Sequence, residues 1–401
     1  MNVIQKSYYQ SLMLGIKVLM NILPIPKPLL LSGAGSTSTL LELVANSQGR
    51  RVFLVSDKTL SKLGIVRSVE KQLLDQGCDV IVYDEVEPDP SERLIDQMVI
   101  LASQSKAEVV LALGGGSVID AAKIVAILSG TTKRVSQITG VLKVWRQNLP
   151  LYVLPTTAGT GSEVTMTSVI TMSNGLKKPA VSPVLVPMAA ALDAELMLGL
   201  PAPITAATGM DSLTHAIEAY LSTHANKETD DYAISAIKLI FKNLPIAYQN
   251  GSDIQARQAM VNASTYAGLA FNKAIVGYVH AIAHQLGAIY HVPHGLANAI
   301  VLPYVLDFYS DTCVERLSEL AIAIGITGDT QQALSQGFIS AVRDLCKTLD
   351  IPTVVKELKE ADLQRICELA LKEAHNLYPV PKYMSKQECL TILGRLKENN
   401  L

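Results

Sequence analysis

Paired thiols, runs of like charge and long apolar stretches are all scarce in this chain, and each scarcity removes a class of protein. The five cysteines, Cys78, Cys313, Cys346, Cys367 and Cys389, are odd in number and scattered, and none stands in Cys-x-x-Cys spacing. Neither a disulfide framework nor a thiolate zinc site fits them, and they read as reduced thiols of a cytoplasmic protein. Charged residues make up 17% of the 401, with 34 basic against 36 acidic side chains and no basic run of five. Nothing supplies the positive field that binding a phosphate backbone needs, so no nucleic-acid partner is expected. Between Leu12 and Leu31 the N-terminus is rather apolar. Lys17, Asn21, Pro24, Pro26, Lys27 and Pro28 nevertheless break the stretch before the roughly 20 apolar residues of a membrane span. Lys17 also sits inside any would-be signal peptide, and no small-residue cleavage pattern follows. A short amphipathic helix, docked on the body or on a second subunit, is the expectation there.

What remains is a chain rich in apolar side chains, 49% of the whole, and too long for one compact core. Two domains are expected, at 1–198 (with a helical extension over 1–26) and 199–401. From Arg51 the sequence alternates short β-branched runs with helical stretches: Arg51 to Ser56, a helix to Gln76, Asp79 to Tyr83, a helix to Lys106, then Glu108 to Leu113. Such alternation signals parallel strands joined by helical crossovers. Leu151 to Leu154 reads as a further strand, and Val164 to Met172 runs into the Asn174-Gly175 turn of a hairpin. After Leu198 strand signals vanish. Helical spacing runs through Asp230 to Leu244, Asp253 to Tyr290, Val314 to Ile324, Gln331 to Leu349 and Asp362 to Leu377. No internal repeat or low-complexity linker separates the halves, which are expected to pack directly with a cleft between them.

Two glycine loops carry chemistry in the first half. Gly114, Gly115 and Gly116 follow the strand Glu108 to Leu113 and open a helix, where backbone amides and the helix dipole meet an anion. A tight strand-to-helix turn without a ligand would look the same. Pro155-Thr-Thr-Ala-Gly-Thr-Gly-Ser-Glu163 follows another strand and adds hydroxyls at the same sheet edge. Together the loops suit an extended anionic cofactor such as a dinucleotide. Asp57, ending the strand Arg51 to Ser56, is either an acceptor for adenosine ribose hydroxyls, which favours NAD over NADP, or the N-cap of the next helix.

The second half concentrates histidine: His280, His284, His291 and His294 lie close together in a chain with seven. His280 and His284 are four apart, as are Asp211 and His215, a spacing that puts both side chains of a pair on one helix face. His294 follows Pro293 in a Pro-His-Gly loop whose break can turn the ring back, and Glu218, one turn past His215, is a further candidate ligand. One carboxylate with imidazoles and no thiolate suits a catalytic divalent ion, Zn, Fe(II), Mn or Ni, with an open position.

The segments Gly114 to Lys123, Pro155 to Glu163, Gly209 to Tyr220, and His280 to Gly287 with His291 to Asn298 together resemble the iron-containing (group III) alcohol dehydrogenases. The motifs fall in that family's order over roughly residues 27 to 390. The resemblance implies an N-terminal Rossmann-like α/β dinucleotide-binding domain plus an all-α C-terminal domain, the dehydroquinate synthase-like architecture. It implies that Asp211, His215, His280 and His294 hold the metal, Fe(II) first and Zn(II) second, and that His284 relays a proton. It further implies NAD contacts from Asp57, Gly115, Gly116, Ser117, Asp120, Thr156, Thr157, Thr160 and Lys178, and Phe271 in the substrate pocket. The implied activity is hydride transfer between NAD and a small primary alcohol, diol or aldehyde, in a homodimer. The extension before residue 26 and Asp89, where an asparagine is common, depart from the family pattern. Two rivals share the fold: a hydroxyacid-oxoacid transhydrogenase with bound cofactor, and a lyase resembling dehydroquinate synthase. A lyase acting on a sugar phosphate needs cleft cations, yet Leu198 to Tyr220 and Val276 to Asn298 hold no Lys or Arg.

Overall fold

A computed structural model describes residues 3–47 and 49–397 of the chain. Two compact units emerge from it: Pro24–Leu200 with Ser252–Thr265, and Met1–Leu23 with Pro201–Gly251 and Tyr266–Leu401. Helix α1 (Val3–Ile22) opens the chain within the second unit.

The first unit runs β1 (Leu29–Ser32), α2 (Ser36–Ala45), β2 (Arg51–Val55), α3 (Lys58–Lys62), α4 (Ile65–Asp75), β3 (Asp79–Tyr83), α5 (Glu92–Gln104), β4 (Val109–Gly114), α6 (Gly116–Leu128), β5 (Gly140–Val141), β6 (Leu151–Pro155), β7 (Thr167–Thr171), β8 (Lys177–Val181) and β9 (Ala189–Leu192). Six strands form one parallel sheet in the order β1-β9-β6-β4-β2-β3. Every residue of β4 is buried, as a strand covered by helices on both faces must be. Alternate residues serve opposite faces. Phe53, Val110, Ala112 and Val153 pack with α5 and α6, while Leu54, Leu111, Leu113 and Leu154 pack with α2 and α4. The chain leaves β2 toward β3 on one side and returns to β4 on the other, so the strand order reverses between β2 and β4. Ligands of open α/β sheets bind outside the carboxyl ends at such a switch point, and both glycine loops begin there or one strand away. The expected hairpin exists as antiparallel β7 and β8, joined by β5 in a separate small sheet. Strands β1 and β9 were not expected from the sequence, because β9 is Ala-Ala-Ala-Leu and carries no β-branched signal.

The second unit continues with α7 (Ala202–Leu221), α8 (Lys227–Gln249), α9 (Ile254–Ala274), α10 (Tyr278–Tyr290), α11 (His294–Tyr309), α12 (Val314–Ala323), α13 (Gln331–Thr348), α14 (Leu363–Leu377) and α15 (Lys386–Lys397). The start of α9, Ile254 to Thr265, falls in the first unit. Asn226 caps α8 by accepting from Thr229 N, and Thr330 caps α13 by accepting from Ala333 N. A single helix over Asp253 to Tyr290 is not what forms. The chain breaks after Ala274, with Ile275 left-handed at φ 64°, and restarts at Tyr278. The break serves packing, since a Cβ on Gly277 would lie 2.9 Å from Glu218 Oε1. Among the described residues no helix is long and apolar enough to cross a membrane.

Candidate active site

Helix α7 is buried along nearly its whole C-terminal half, including Asp211, His215 and Glu218. Two glycines let its neighbours come close. A Cβ on Gly209 would lie 2.3 Å from Leu244 on α8, and one on Gly295 would lie 2.4 Å from the Ala207 carbonyl. The second contact seats the start of α11 directly on α7 beside Asp211. His294 is therefore the first residue of a helix rather than a loop residue, and Pro293 precedes it at the N-cap.

Asp211, His215, His280 and His294 each offer one ligand atom, and these atoms lie within 4.8 Å of one another. His215 Nε2 and His280 Nε2 face each other at 2.9 Å. Asn298 Nδ2 donates to Asp211 Oδ1 at 2.7 Å and lies 3.2 Å from both His280 Nε2 and His294 Nε2. Asp211 Oδ1, His280 Nε2 and His294 Nε2 thus converge on one amide nitrogen, while the buried Oδ1 of Asn298 has no partner. Such a donor set fits a divalent cation. Burial and the surrounding imidazoles hold His280 far below the usual imidazole range, so the ring is neutral, as a ligand must be.

Glu218 stands behind His280 and is not one of the converging four. Its Oε2 is 2.5 Å from His280 Nδ1, and its Oε1 accepts from Val279 N at 2.7 Å. A carboxylate on Nδ1 leaves Nε2 to point inward. Burial pushes the Glu218 carboxyl up to about 8, against the pull of backbone N–H groups from Gly277, Val279 and His280. A cation at the quartet favours the ionised form. Phe271 stacks on His215, ring centroids 4.3 Å apart at 18°. His284 shares the α10 face with His280 and stacks on His294 at 5.3 Å, but its Nδ1 is turned to Glu373 Oε1 at 2.6 Å. His291 is the left-handed C-cap of α10, exposed and outside the quartet. Asn298 carried a local signal, being four residues after His294. Glu373 lies 89 residues from its histidine and carried none.

In the first unit the two glycine loops pack on each other. A Cβ on Gly115 would lie 3.1 Å from Thr157 Oγ1, and one on Gly116 would lie 2.5 Å from Thr160 Cγ2. Gly114 has the same need nearer home, with Val118 filling its Cβ position at 2.5 Å. Thr156 N bonds the Gly114 carbonyl at 3.1 Å, and Ser117 Oγ accepts from Asp89 N at 3.2 Å. Asp120 accepts from Ser162 Oγ at 2.6 Å and from Val169 N at 2.8 Å, so one oxygen ties the loop and the other ties β7 to helix α6. Beneath them the fully buried Lys123 Nζ donates to Ser162 Oγ, Thr165 O, Thr165 Oγ1 and Thr167 O at 2.7 to 3.0 Å. Burial brings its pKa down to about 8. Asp57 is an N-cap, its Oδ1 accepting from Thr59 N and Leu60 N. Lys178 is exposed on β8.

Comparison with known proteins bears on both units. Residues 28–194 match the family model for iron-containing alcohol dehydrogenase, and residues 205–396 match that for the Fe-containing alcohol dehydrogenase family, C-terminal. The chain is 35% identical over 378 residues to alcohol dehydrogenase 4 of Saccharomyces cerevisiae, covering 92% of this chain and 97% of that one. It is 36% identical over 329 residues to the NAD-dependent methanol dehydrogenase of Bacillus methanolicus, covering 81% and 86%. Among solved structures, that of a 1,3-propanediol oxidoreductase superposes with a TM-score of 0.90 at 35% identity, covering 94% of this chain and all of that one.

Proposed function

This chain belongs to the iron-containing alcohol dehydrogenase family, and on that premise we propose that it transfers a hydride between NAD and a small primary alcohol or diol with a divalent metal, Fe(II) before Zn(II). The observation that carries the reading is the convergence of Asp211, His215, His280 and His294 within 4.8 Å. These four would hold the ion. When bound, a divalent ion supplies a Lewis acid that lowers the pKa of an alcohol oxygen, and NAD supplies the hydride acceptor.

The chain's own groups do the rest. Glu218 and Asn298 keep the ligand atoms aimed at one point. His284 accepts the alcohol proton at Nε2 and passes it toward solvent, its side chain being 24% exposed. Phe271, flat against His215, walls the site and favours a small apolar substrate body. In the other unit the amides of Gly115, Gly116 and Ser117, the hydroxyls of Thr156, Thr157 and Thr160, and Lys178 would hold the pyrophosphate of the cofactor. Asp120 holds the loop that presents those threonines. The Asp57 carboxylate would accept from the adenosine ribose hydroxyls, and its charge would disfavour a 2′-phosphate. Methanol and 1,3-propanediol, in the names of the relatives, mark the size of alcohol expected. Five free, buried cysteines agree with a reducing cytoplasm, and a homodimer is the assembly proposed.

The test is NAD reduction by anaerobically prepared protein with a panel of primary alcohols and diols, stripped by chelator and then restored with Fe(II) or Zn(II). Turnover is expected only after a metal is restored, and His280→Ala is expected to bind no ion and show no turnover. Turnover that survives chelation, or a His280→Ala variant at full rate, overturns the assignment.

A further inference from the structure

His284 and His280 lie one turn apart on α10, yet only His280 contributes to the converging donor atoms. What separates them is the carboxylate each one faces. His284 Nδ1 is 2.6 Å from Glu373 Oε1, on α14, and the same oxygen accepts from the Tyr378 hydroxyl at 2.5 Å. The other oxygen, Oε2, accepts from Gln285 Nε2 at 2.9 Å. Two successive residues of α10 and one residue past the end of α14 therefore grip a single carboxylate. Burial alone would raise the Glu373 pKa, but His284, Tyr378 and Gln285 outweigh it and hold the group below the usual range. An ionised carboxylate has only acceptors to offer, so the proton between the two groups sits on Nδ1. With that proton on Nδ1, Nε2 is left as the acceptor nitrogen of a ring that stacks on His294 at 17°.

We propose that Glu373 is a positioning residue for the hydride-transfer reaction: it fixes His284 as the Nδ1–H tautomer and holds its Nε2 beside the metal quartet as the atom that accepts the alcohol proton. This rests on reading His284 as the proton relay. Tyr378 and Gln285 each hold one oxygen of the carboxylate, so Glu373 keeps its place behind Nδ1. A carboxylate behind a reacting imidazole acts through tautomer and aim, and its removal lowers rate without removing substrate binding.

The experiment uses the zinc-loaded full chain, because Zn(II) is diamagnetic. Nitrogen-15 shifts of His284 in the wild type are expected to show a protonated Nδ1 and a bare Nε2; the opposite tautomer overturns the proposal without any variant. Glu373→Leu is expected to keep its zinc and its KM for 1,3-propanediol, to lose roughly 10- to 100-fold in kcat, and to show mixed tautomers at His284. Glu373→Gln, which keeps Oε1 as an acceptor, is expected to recover most of the rate and the Nδ1–H tautomer. His284→Ala separates the two readings. A slow His284→Ala beside a Glu373→Leu of wild-type rate and tautomer overturns the role of Glu373 and leaves the relay standing. Wild-type rate in His284→Ala overturns the relay, and this role with it.

Discussion

His375 shows how a single buried ring writes itself into the pH dependence of the fold. Its Nε2 accepts from the Tyr278 hydroxyl at 2.8 Å, and that oxygen accepts from Met384 N at 2.7 Å. The residue is 8% exposed, and burial brings its pKa from 6.5 down to about 4. Between those values the unfolded chain binds a proton that the folded chain refuses, so stability rises with pH across this window. Equivalently, the contribution is complete above about pH 6.5 and is lost as pH falls toward about 4. Its size is at most about 3 kcal/mol, since each tenfold loss of proton affinity corresponds to about 1.36 kcal/mol. Urea unfolding of metal-free protein at a series of pH values should show this slope in the wild type and a shallower one in His375→Gln. Equal slopes would mean that other groups carry it. At the same scale, His215, His280 and Asp211 were legible in the sequence because helical spacing states which side chains share a face. Glu218 was legible only as a further candidate ligand one turn past His215, and it is not among the converging four. That it backs His280 instead depends on the approach of α10, which no spacing within α7 encodes.

The glycine turn between β4 and α6 is an element whose sequence admitted two meanings, a ligand cradle or a tight connection, and the structure gives it a third task. Gly116 is needed because Thr160 of the next loop occupies the space where its side chain would be, and at Gly115 a Cβ would press tightly on Thr157. Gly116→Ala puts a methyl 2.5 Å from Thr160 Cγ2 and forces the loops apart. Overpacking of this kind costs about 1 to 3 kcal/mol. If the same loops hold the cofactor, the dissociation constant for NAD should rise by about 5- to 150-fold. Metal content should not change, since the quartet belongs to other helices. Fluorescence titration with NADH and metal analysis of the same samples check both halves of the prediction. Helix α10 teaches the complementary lesson. Apolar periodicity ran unbroken from Asp253 to Tyr290, yet the helix stops at Ala274 and restarts at Tyr278. Periodicity reports which side chains face a core. It is silent about a close approach from a distant helix, and the Glu218 carboxylate against Gly277 is such an approach.

At the scale of the whole molecule the two kinds of loading should leave separate footprints. A ligand that binds only the folded state stabilises it by about 4 kcal/mol at a thousand times its dissociation constant. Hydrogen exchange of chelator-treated protein should therefore slow in α7, α10 and α11 when Zn(II) is added, and in Gly114–Ser117 and Thr156–Ser162 when NAD is added. Protection by Zn(II) that appears instead in β4 and α6 would refute the placement of the ion. Motif order sufficed to identify the family and activity class, and alternation followed by unbroken helical spacing sufficed for an α/β half and a helical half. Those features are local, because strand and helix periods and glycine turns are set by residues a few positions apart. Tertiary packing decided the rest: the alanine strand β9, the break before α10, the start of α11 at His294, the mutual packing of the glycine loops, and the carboxylates that face Nδ1 of His280 and His284. Each of these depends on groups tens of residues apart meeting at contact distance, and short-range periodicity carries no record of such a meeting.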